Sequence, residues 1–562
     1  MKQQGFLKGS AILLGMVFIT KAIGLAYKIP LTHMLGGSGM AYYSGAFAVF
    51  SPVLAATVSG ISASVARLTA ESCAFGRYTH LRKVRRTAMM IYTLPALTAA
   101  VILVLLSGRL AGAFLPSETA AIALCALAPS LVLCAVLSVQ RGYYEGLHNM
   151  LPTAVSEIIE TVLRAVLGLA GAYAVFRYAR ADFEATHGCF GQFCRTEADA
   201  AALTLPYAAA AAIFAGSVAT GIAVASLAVS HRLRGDGITP EQLASDRLTD
   251  STLCIARRLC AHSLPVAGAA VITTLSGFID LLTVPAGLKA ALDAGMSLPE
   301  GLDAAAVPSF IYGSYTGLAL MVCGLVPTFT AMFGKSSLPS LTEAAARGST
   351  RMLSARVSGL IRVSAVTALP FGALLTVMPY EILGLLFAGR SAEISCAAPA
   401  LRLLGAGCVF LSVSLPCLSA LQTLGRRVMP MVFIAAGSGV KLILNLLLIP
   451  MPSLGISGAA AAAAVSQGLI CLLSAGTLIR TTSTRLAPGV ILKPMFAALL
   501  SAAAARLLCD IPEAYGLDTN GRGLSLFGLC TGLGVYLLSL WLMDILPREM
   551  IKKYFKKFRK TY

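Results

Sequence analysis

Apolar stretches of about twenty residues alternate with short polar or basic segments along the whole chain. Each stretch is long enough to cross the roughly 30 Å hydrocarbon core of a bilayer as an α-helix. We therefore predict an all-α polytopic membrane protein with about fourteen transmembrane helices. Their approximate limits are 9–30, 40–66, 87–107, 119–140, 153–176, 203–230, 259–284, 308–333, 357–378, 394–421, 428–449, 456–479, 490–508 and 523–546.

Composition agrees with this pattern. Of the 562 residues, 57% are hydrophobic and only 12% are charged, and the mean hydropathy is +0.80. Soluble globular domains do not have this composition, so no large soluble domain is expected. The N-terminal segment is predicted to be a retained first span, because Lys21 and Lys28 interrupt its apolar run and no small-residue cleavage site follows.

The loop charges predict the orientation. Of the 44 lysines and arginines, 30 lie on the side of the two termini and 8 on the other side. The positive-inside rule then places both termini in the cytoplasm and the protein in the cytoplasmic membrane. The basic tail, 547–562, is a topology signal that can also contact anionic membrane lipids. The net charge of +19 is spread over all the inner loops, so we predict no nucleic-acid partner.

A weak internal repeat is present. Leu68-Thr69-Ala70-Glu71 resembles Leu341-Thr342-Glu343, six spans later, and Gly146 with Pro152 resembles Gly425 with Pro430. An even offset keeps both halves in the same orientation, which predicts two six-helix lobes related by a pseudo-twofold axis along the membrane normal, plus two C-terminal helices. The predicted divisions are an N-lobe at 1–232, a cytoplasmic linker at 233–258, a C-lobe at 259–482, a final helix pair at 483–546 and the tail at 547–562.

Ionisable residues inside the predicted spans are the candidates for function. The cations are Lys21, Lys28, Arg164, Arg362, Arg402 and Lys441, and the carboxylates are Glu157, Glu160 and Asp280. A charge at a helix centre costs roughly 2.5–3.5 kcal/mol, so these groups are expected to face one another or water. A cavity with this excess of cations favours an anion, and lysine and arginine are suited to phosphate or pyrophosphate.

Helical spacing groups some of these residues. Glu157, Glu160 and Arg164 share one face of a helix, and Lys441 shares a face with Asn445. Four others, Lys28, Arg402, Asp280 and Glu157, lie near predicted span ends, where snorkelling to the headgroups explains them equally well. Glu160 is equally suited to neutralising Arg164 and to gating a substrate.

Enzyme motifs do not account for the chain. It contains no HExxH, GxSxG or GxGxxG sequence and no acidic metal-binding cluster, so no metal and no cofactor is predicted. Gly334-Lys335-Ser336-Ser337 lacks the earlier glycine of a P-loop, which predicts a transporter without its own ATPase. Cys189 and Cys194 in a polar loop could form a disulfide or remain free thiols.

Four segments together resemble a known family. They are RGYYEGLHNMLPTAVSEIIETVLRAVLGL, KAIGLAYKIPLTHMLG, YGSYTGLALMVCGLVPTFTAMFGKSSLPSLTEA and LQTLGRRVMP. They are similar to the stage V sporulation protein B branch of polysaccharide transporters, in the multidrug/oligosaccharidyl-lipid/polysaccharide (MOP) flippase superfamily, which includes the lipid II flippases. The resemblance covers essentially the whole chain.

The resemblance implies a fold and a substrate. It implies fourteen helices, alternating access, and an undecaprenyl-pyrophosphate-linked sugar such as lipid II as the substrate class. Lys21 occupies the position of a helix-1 cavity cation of the related flippases, whereas their second cation falls on Tyr27, beside Lys28. Branch members often have glutamine where this chain has Glu145 and Glu157, so the entrance of the fifth helix is more acidic than in the family.

We therefore predict a flippase that moves a lipid-linked oligosaccharide outward across the membrane. Na⁺ coupling, H⁺ coupling or the membrane potential are the candidate energy sources, and cell-wall synthesis proteins are candidate partners. Two other functions fit the same features: a cation-coupled multidrug exporter, with Asp280 and Glu160 as its ion site, and a non-transporting membrane scaffold in cell-wall or spore assembly.

Overall fold

Nearly all of the described chain is α-helical in the computed structural model. The structure describes residues 6–115, 117–239, 250–297, 305–426, 428–514, 522–543 and 545, with side chains from residue 15 onward except at 234, 335, 339, 346, 511–514 and 522. The predicted basic tail at 547–562 lies outside the described residues, as do residues 240–249 of the predicted inter-lobe linker.

Seven helices lie in the described residues of the first half of the chain. They are α1 (Phe6–Val58), α2 (Ile61–Ala74), α3 (Tyr78–Phe114), α4 (Ala121–Gly146), α5 (Leu151–Thr186), α6 (Glu197–Arg234) and α7 (Thr252–Asp293). A 3₁₀ turn, Glu118–Ala120, precedes α4, and a two-stranded antiparallel hairpin of β1 (Gly188–Cys189) and β2 (Gln192–Phe193) joins α5 to α6. Pro152 lies in the first turn of α5, where its missing N–H costs no hydrogen bond.

The second half contains ten helices among the residues that the structure describes. They are α8 (Val307–Ser314), α9 (Leu320–Cys323), α10 (Leu325–Ala346), α11 (Thr350–Val377), α12 (Pro379–Leu386), α13 (Ser391–Thr423), α14 (Val428–Leu448), α15 (Ile456–Thr481), α16 (Gly489–Ala514) and α17 (Arg522–Leu542). A π-helical segment, Tyr315–Ala319, joins α8 to α9. The helices on either side of Gly324 are bent by 41°.

The helices confirm the predicted membrane architecture. Among the described residues, 12 helical stretches are long and apolar enough to cross a membrane, or 13 with the bent pair. One of them, Gly15–Ala74, has 60 residues, or about 90 Å at 1.5 Å per residue, and is broken at Gly36, where φ is 62° and ψ is −171°. This stretch is long enough for the first two predicted spans, so the chain is a multi-pass membrane protein consistent with about fourteen crossings.

The chain divides into two compact units, Met1–Leu282 and Thr283–Tyr562, and the division falls within α7. In the first unit, α4 packs against α2, α3 and α6, and α5 packs against α6. In the second unit, α13 packs in the same way against α10, α11 and α15, and α14 packs against α15. The two units thus share the same pattern of contacts between successive helices. The predicted domain limits stay predictions.

Two glycines allow α2 and α4 to approach closely. A Cβ atom at Gly142 would lie 2.5 Å from the carbonyl oxygen of Ser62, and one at Gly146 would lie 2.5 Å from the Cβ of Thr69. Both glycines are buried. Thr69 and Gly146, one from each motif of the predicted repeat, are therefore in contact in the first unit, whereas an added Cβ at the matching Gly425 would have no atom within 4 Å.

Candidate functional site

The Glu160 carboxylate is the centre of the charged site in the first unit. Nη2 of Arg164, one turn later on α5, donates to Oε1 at 2.6 Å, and Nη2 of Arg141 on α4 donates to Oε2 at 2.9 Å. The hydroxyl of Thr220 on α6 lies 3.0 Å from Oε1. The Glu160 side chain is only 11% exposed. A carboxylate buried to this extent needs such partners, and here three helices supply them.

Arg141 is fixed at a second point. Its Nε donates to the hydroxyl of Ser156 on α5 at 3.0 Å, and its side chain is 17% exposed. Ser156 and Glu160 are four residues apart, so both acceptors lie on the same face of α5. Arg141 therefore joins the end of α4 to the beginning of α5.

Arg164 is held differently, because its side chain is 44% exposed. Its Nε is buried and forms no hydrogen bond with any described residue. On α6, Gly216 packs against this side chain, since a Cβ there would lie 3.5 Å from Nε. The guanidinium is thus anchored through one nitrogen to Glu160 and keeps unused donors.

Arg164 lies on the side of α5 opposite to an exposed apolar stripe. Four of the exposed apolar side chains on α5 form a stripe, consisting of Val155, Val162, Val166 and Tyr173. At 3.6 residues per turn, Arg164 lies about 160° to 180° from each of them around the helix. The stripe has the character of a lipid-facing surface, so the exposure of Arg164 is on the side of α5 that faces away from it.

Tyr27 connects α1 to this site. It is 6% exposed and packs on α5, where a Cβ at Gly168 would lie 2.6 Å from its hydroxyl oxygen. Gly168 is one turn beyond Arg164. The positive charge of Arg164 interacts electrostatically with the hydroxyl groups of both Tyr27 and Tyr43. Lys21 and Lys28 are both exposed on α1 and close enough to repel each other. The structure thus brings Tyr27, Glu160 and Arg164 together, with Lys28 next to Tyr27 in sequence.

Two further carboxylates lie near Arg141. Glu145, on the last turn of α4, accepts a hydrogen bond from the Ser62 hydroxyl at 3.1 Å. It interacts electrostatically with Arg141 and with Glu157 of α5. These are the two positions at which the chain departs from the resembled family, and the structure places them in one charged cluster.

The candidates of the second unit lie in several surroundings. Lys441 and Asn445 on α14 are buried, at 4% and 0% exposure, and the amide of Asn445 donates to the Thr283 hydroxyl at 2.8 Å. Arg362 on α11 donates to the backbone carbonyl of Ile545 at 2.6 Å, which satisfies a carbonyl just beyond α17. Arg402 on α13 is exposed. Each of these roles stays a prediction.

Asp280 on α7 is buried in the first unit, with 3% of its surface exposed. Cys189 and Cys194 are both buried free thiols in one cluster with Ala179 and Ala200. Within the described part of the chain, no group of three or more His, Cys, Asp or Glu residues is arranged to hold a metal ion.

Arg141 is the residue that the sequence analysis missed. The sequence placed it in a loop after the fourth span, whereas the structure places it inside α4, which continues to Gly146. The signal was present in the spacing, since Arg141 and Glu145 are four residues apart and a helix continuing to Gly146 would bring Arg141 opposite the start of α5.

Sequence comparison supports the predicted resemblance. The family described as polysaccharide biosynthesis protein matches residues 6–181. Stage V sporulation protein B of Bacillus subtilis (strain 168) is 23% identical over 479 residues, which cover 85% of this chain and 84% of that protein.

Solved structures have the same fold. The lipid II flippase MurJ, in an inward closed conformation, has a TM-score of 0.64 at 12% identity and covers 95% of this chain and 98% of its own. A multidrug resistance MATE family transporter of the MOP superfamily, in an inward-facing conformation, has a TM-score of 0.60 at 14% identity and covers 84% of this chain and 98% of its own. The chain is therefore a multi-pass membrane protein with the fold of the MOP superfamily transporters, and its sequence resembles stage V sporulation protein B.

Proposed function

We propose that this protein is a flippase that moves an undecaprenyl-pyrophosphate-linked saccharide from the inner to the outer leaflet of the cytoplasmic membrane. Its fold and its sequence relatives belong to transporters and flippases, and one structural neighbour is a lipid II flippase. The identity of the saccharide is part of the proposal only as a class: a lipid-linked precursor of the lipid II kind.

The proposal rests on the position of Arg164 and on its single hydrogen-bond partner. It is twelve residues into a membrane helix after Pro152, roughly 18 Å along the axis. At that depth a cation is costly unless it has a function or a partner. Arg164 has a hydrogen-bond partner through one nitrogen only, and its side chain is 44% exposed on the side of α5 away from the apolar stripe. A guanidinium with free donors is suited to the oxygens of a pyrophosphate.

The two arginines around Glu160 suggest how the site exchanges partners. When a pyrophosphate attracts Arg164, Glu160 still keeps Arg141 and Thr220. The buried carboxylate is then never left without a counter-charge, which would otherwise cost about 3–5 kcal/mol. On release of the headgroup, Arg164 returns to Glu160 and the empty site is restored.

The other predicted residues have proposed roles in the same cycle. Lys21 and Lys28 attract the anionic headgroup along α1, and the predicted binding roles of Lys441, Arg362 and Arg402 stay predictions. Glu157 and Asp280 act as counter-charges when the site is empty. The membrane potential, at roughly 2.3 kcal/mol per charge per 100 mV, or coupling to Na⁺ or H⁺ supplies the energy for the reset.

Charge distinguishes this function from export of cationic drugs. Arg141, Arg164 and Glu160 together carry one net positive charge, and the exposed member of the three is a cation. Glu145 and Glu157, which lie in the same charged cluster as Arg141, bring it to two cations and three carboxylates, so the excess of positive charge rests on the exposed Lys21 and Lys28 of α1. A cationic substrate would be repelled where an anionic headgroup is attracted.

A reconstituted transport assay tests the proposal. Purified protein is placed in vesicles with fluorescent lipid II, and the fraction of label that becomes accessible on the far leaflet is measured over time. We expect the wild-type protein to move the label, and Arg164→Gln to slow it at least tenfold. The variant should remain folded, because Arg141 and Thr220 still satisfy Glu160.

Arg180 provides the matched control. It lies on the same helix and pairs with Glu184, four residues away, at 3.0 Å. Arg164 also pairs with a glutamate four residues away, but Arg180 and Glu184 are both largely exposed. Arg180→Gln should flip lipid II at the wild-type rate. If the wild-type protein moves no lipid-linked saccharide but exports cationic dyes in a way that depends on Glu160, the flippase proposal is wrong and the drug exporter replaces it.

A further inference from the structure

A basic cavity lies at the beginning of α3, away from the residues of the proposed flipping site. Its volume is about 550 Å³, and it is lined by side chains from α3 and from the end of α6 and the segment that follows, among them Arg82, Arg85, Arg86, His231 and Asp236. Three arginines within five residues are an unusual concentration of positive charge for a membrane helix of this apolar character. The distribution of their partners shows which of them are available to a ligand.

Arg82 is committed to a buried carboxylate. Its Nε and Nη2 donate to the two oxygens of Asp236 at 3.0 and 3.2 Å, and the Tyr143 hydroxyl donates to the same carboxylate at 3.1 Å. Burial opposes ionisation of Asp236, but the hydrogen bonds from Arg82, from the Ile238 backbone N–H and from Tyr143 outweigh it and hold its pKa below the usual value. The pair contributes no net charge to the cavity.

Arg85 is held in place by contacts with uncharged side chains, which do not neutralise its positive charge. Its Nη1 lies 2.6 Å from Nε2 of His231, and its guanidinium carbon lies 5.1 Å from the centre of the Tyr143 ring. Because arginine can only donate, Nε2 of His231 must accept, and the imidazole is then neutral with its proton on Nδ1. That Nδ1 lies 3.0 Å from the Tyr144 hydroxyl, which completes the arrangement. Arg85 therefore keeps its full positive charge.

Arg86 is exposed and forms no ion pair with any side chain in the described parts of the chain. It begins a stripe of exposed apolar side chains on α3, at Met90, Leu94, Val101 and Leu105, which are 58%, 64%, 49% and 76% exposed. These four positions lie within about 60° of one another around the helix, and further exposed apolar side chains between residues 97 and 106 extend the apolar surface around it. Arg109 follows the stripe, 23 residues after Arg86, or roughly 35 Å along the axis at 1.5 Å per residue.

The geometry points to a binding site for the phosphate headgroup of an anionic phospholipid. Arg85 and Arg86 supply two uncompensated cations at headgroup depth, the cavity provides the volume, and the apolar stripe beside Arg86 provides a surface for an acyl chain. A free phosphate would use the cations and the cavity but not the stripe, which is why we commit to the lipid. By the predicted orientation, this site faces the inner leaflet, and it is additional to the proposed transport of a lipid-linked saccharide.

Lipid binding to the purified full-length protein tests this inference. Native mass spectrometry in a mild detergent measures binding of phosphatidylglycerol, with phosphatidylcholine as the zwitterionic reference and inorganic phosphate as the free anion. We expect phosphatidylglycerol to bind more tightly than phosphatidylcholine. Arg86→Gln should weaken its binding about fivefold, which corresponds to about 1 kcal/mol per basic residue near a membrane surface, and Arg86→Glu should weaken it further.

Arg109→Gln is the matched control, because Arg109 is exposed on the same helix, 23 residues after Arg86, and does not line the cavity. It should leave binding unchanged. Equal losses in Arg86→Gln and Arg109→Gln would show only general attraction to surface charge and overturn the site. Undiminished binding in both Arg86 variants would also overturn it. Inorganic phosphate that displaces the bound lipid, and binds without any need for an acyl chain, would overturn the assignment to a lipid.

Discussion

At the scale of single residues, two arginines neutralise one buried carboxylate. Glu160 pairs with Arg164 of its own helix and with Arg141 of the preceding one, and the two arginines differ in exposure, at 44% and 17%. The less exposed arginine is suited to a permanent structural role, whereas the more exposed one is free to exchange partners. This difference in burial separates a helix-joining residue from a candidate substrate-binding residue.

A double-mutant cycle measures this division. We expect the pair Arg141→Gln and Glu160→Gln to show a coupling energy of about 1–3 kcal/mol, because the interaction is buried and joins two helices. The exposed pair Arg180 and Glu184, treated in the same way, should show about 0.3–0.5 kcal/mol. Thermal unfolding of the purified variants in detergent gives both values. Similar coupling in the two pairs would contradict a special role for Arg141 in joining the helices.

The residue scale also shows the limits of sequence reasoning. Glu157, Glu160 and Arg164 could be placed on one helix face because helical spacing alone decides that. Arg141 could not be placed in the site, since its assignment depended on where α4 ends, and helix ends are poorly determined by hydropathy. The second partner of a buried charge comes from another helix, and the sequence contains no direct measure of that distance.

At the scale of helices, close contacts between α2 and α4 hold the charged residues in place. Gly142 follows Arg141 directly, and its backbone lies against Ser62, whose hydroxyl donates to Glu145. A side chain at position 142 would push the two helices apart and change the position of Arg141. The apolar packing and the charged site are therefore parts of one arrangement.

Substitution of glycines tests this contact. Gly142→Ala should destabilise the protein by about 1–3 kcal/mol, because the added methyl group would lie 2.5 Å from a backbone oxygen that cannot move without shifting α2. Gly108→Ala in α3, which has no atom within 4 Å of the added Cβ, should be neutral or stabilise by up to about 1 kcal/mol. The midpoint of thermal unfolding of each variant measures the difference. An unchanged midpoint for Gly142→Ala would show that the helices are not tightly packed there.

At the scale of the whole molecule, the number of crossings and the loop charges predict the orientation. The 12 or 13 candidate spans of the described residues are roughly consistent with the predicted fourteen crossings, and an even number of crossings predicts both termini on one side. The excess of basic residues on that side predicts that it is cytoplasmic. The predicted inner-leaflet location of the lipid site and the outward direction of flipping both depend on this orientation.

Cysteine labelling in intact cells tests the orientation. In a background whose native cysteines are replaced, Arg195→Cys in the loop between α5 and α6 should react with a membrane-impermeant maleimide. Gly237→Cys, after α6, should react only once the membrane is permeabilised. The labelled fraction before and after permeabilisation is the measurement. The reverse pattern would invert the topology and would move the proposed lipid site to the outer leaflet.

The sequence by itself determined that the chain is helical and membrane-spanning, about how many times it crosses, and that Glu157, Glu160 and Arg164 share one helix face, because hydropathy and helical spacing are local properties. The tertiary structure decided which charges meet: Arg141 with Glu160, Arg362 with the carbonyl of Ile545, and Arg82 with Asp236. The physical reason is that a buried charge is stabilised by whichever partner lies within hydrogen-bond distance, and helices distant in sequence supply most of these partners.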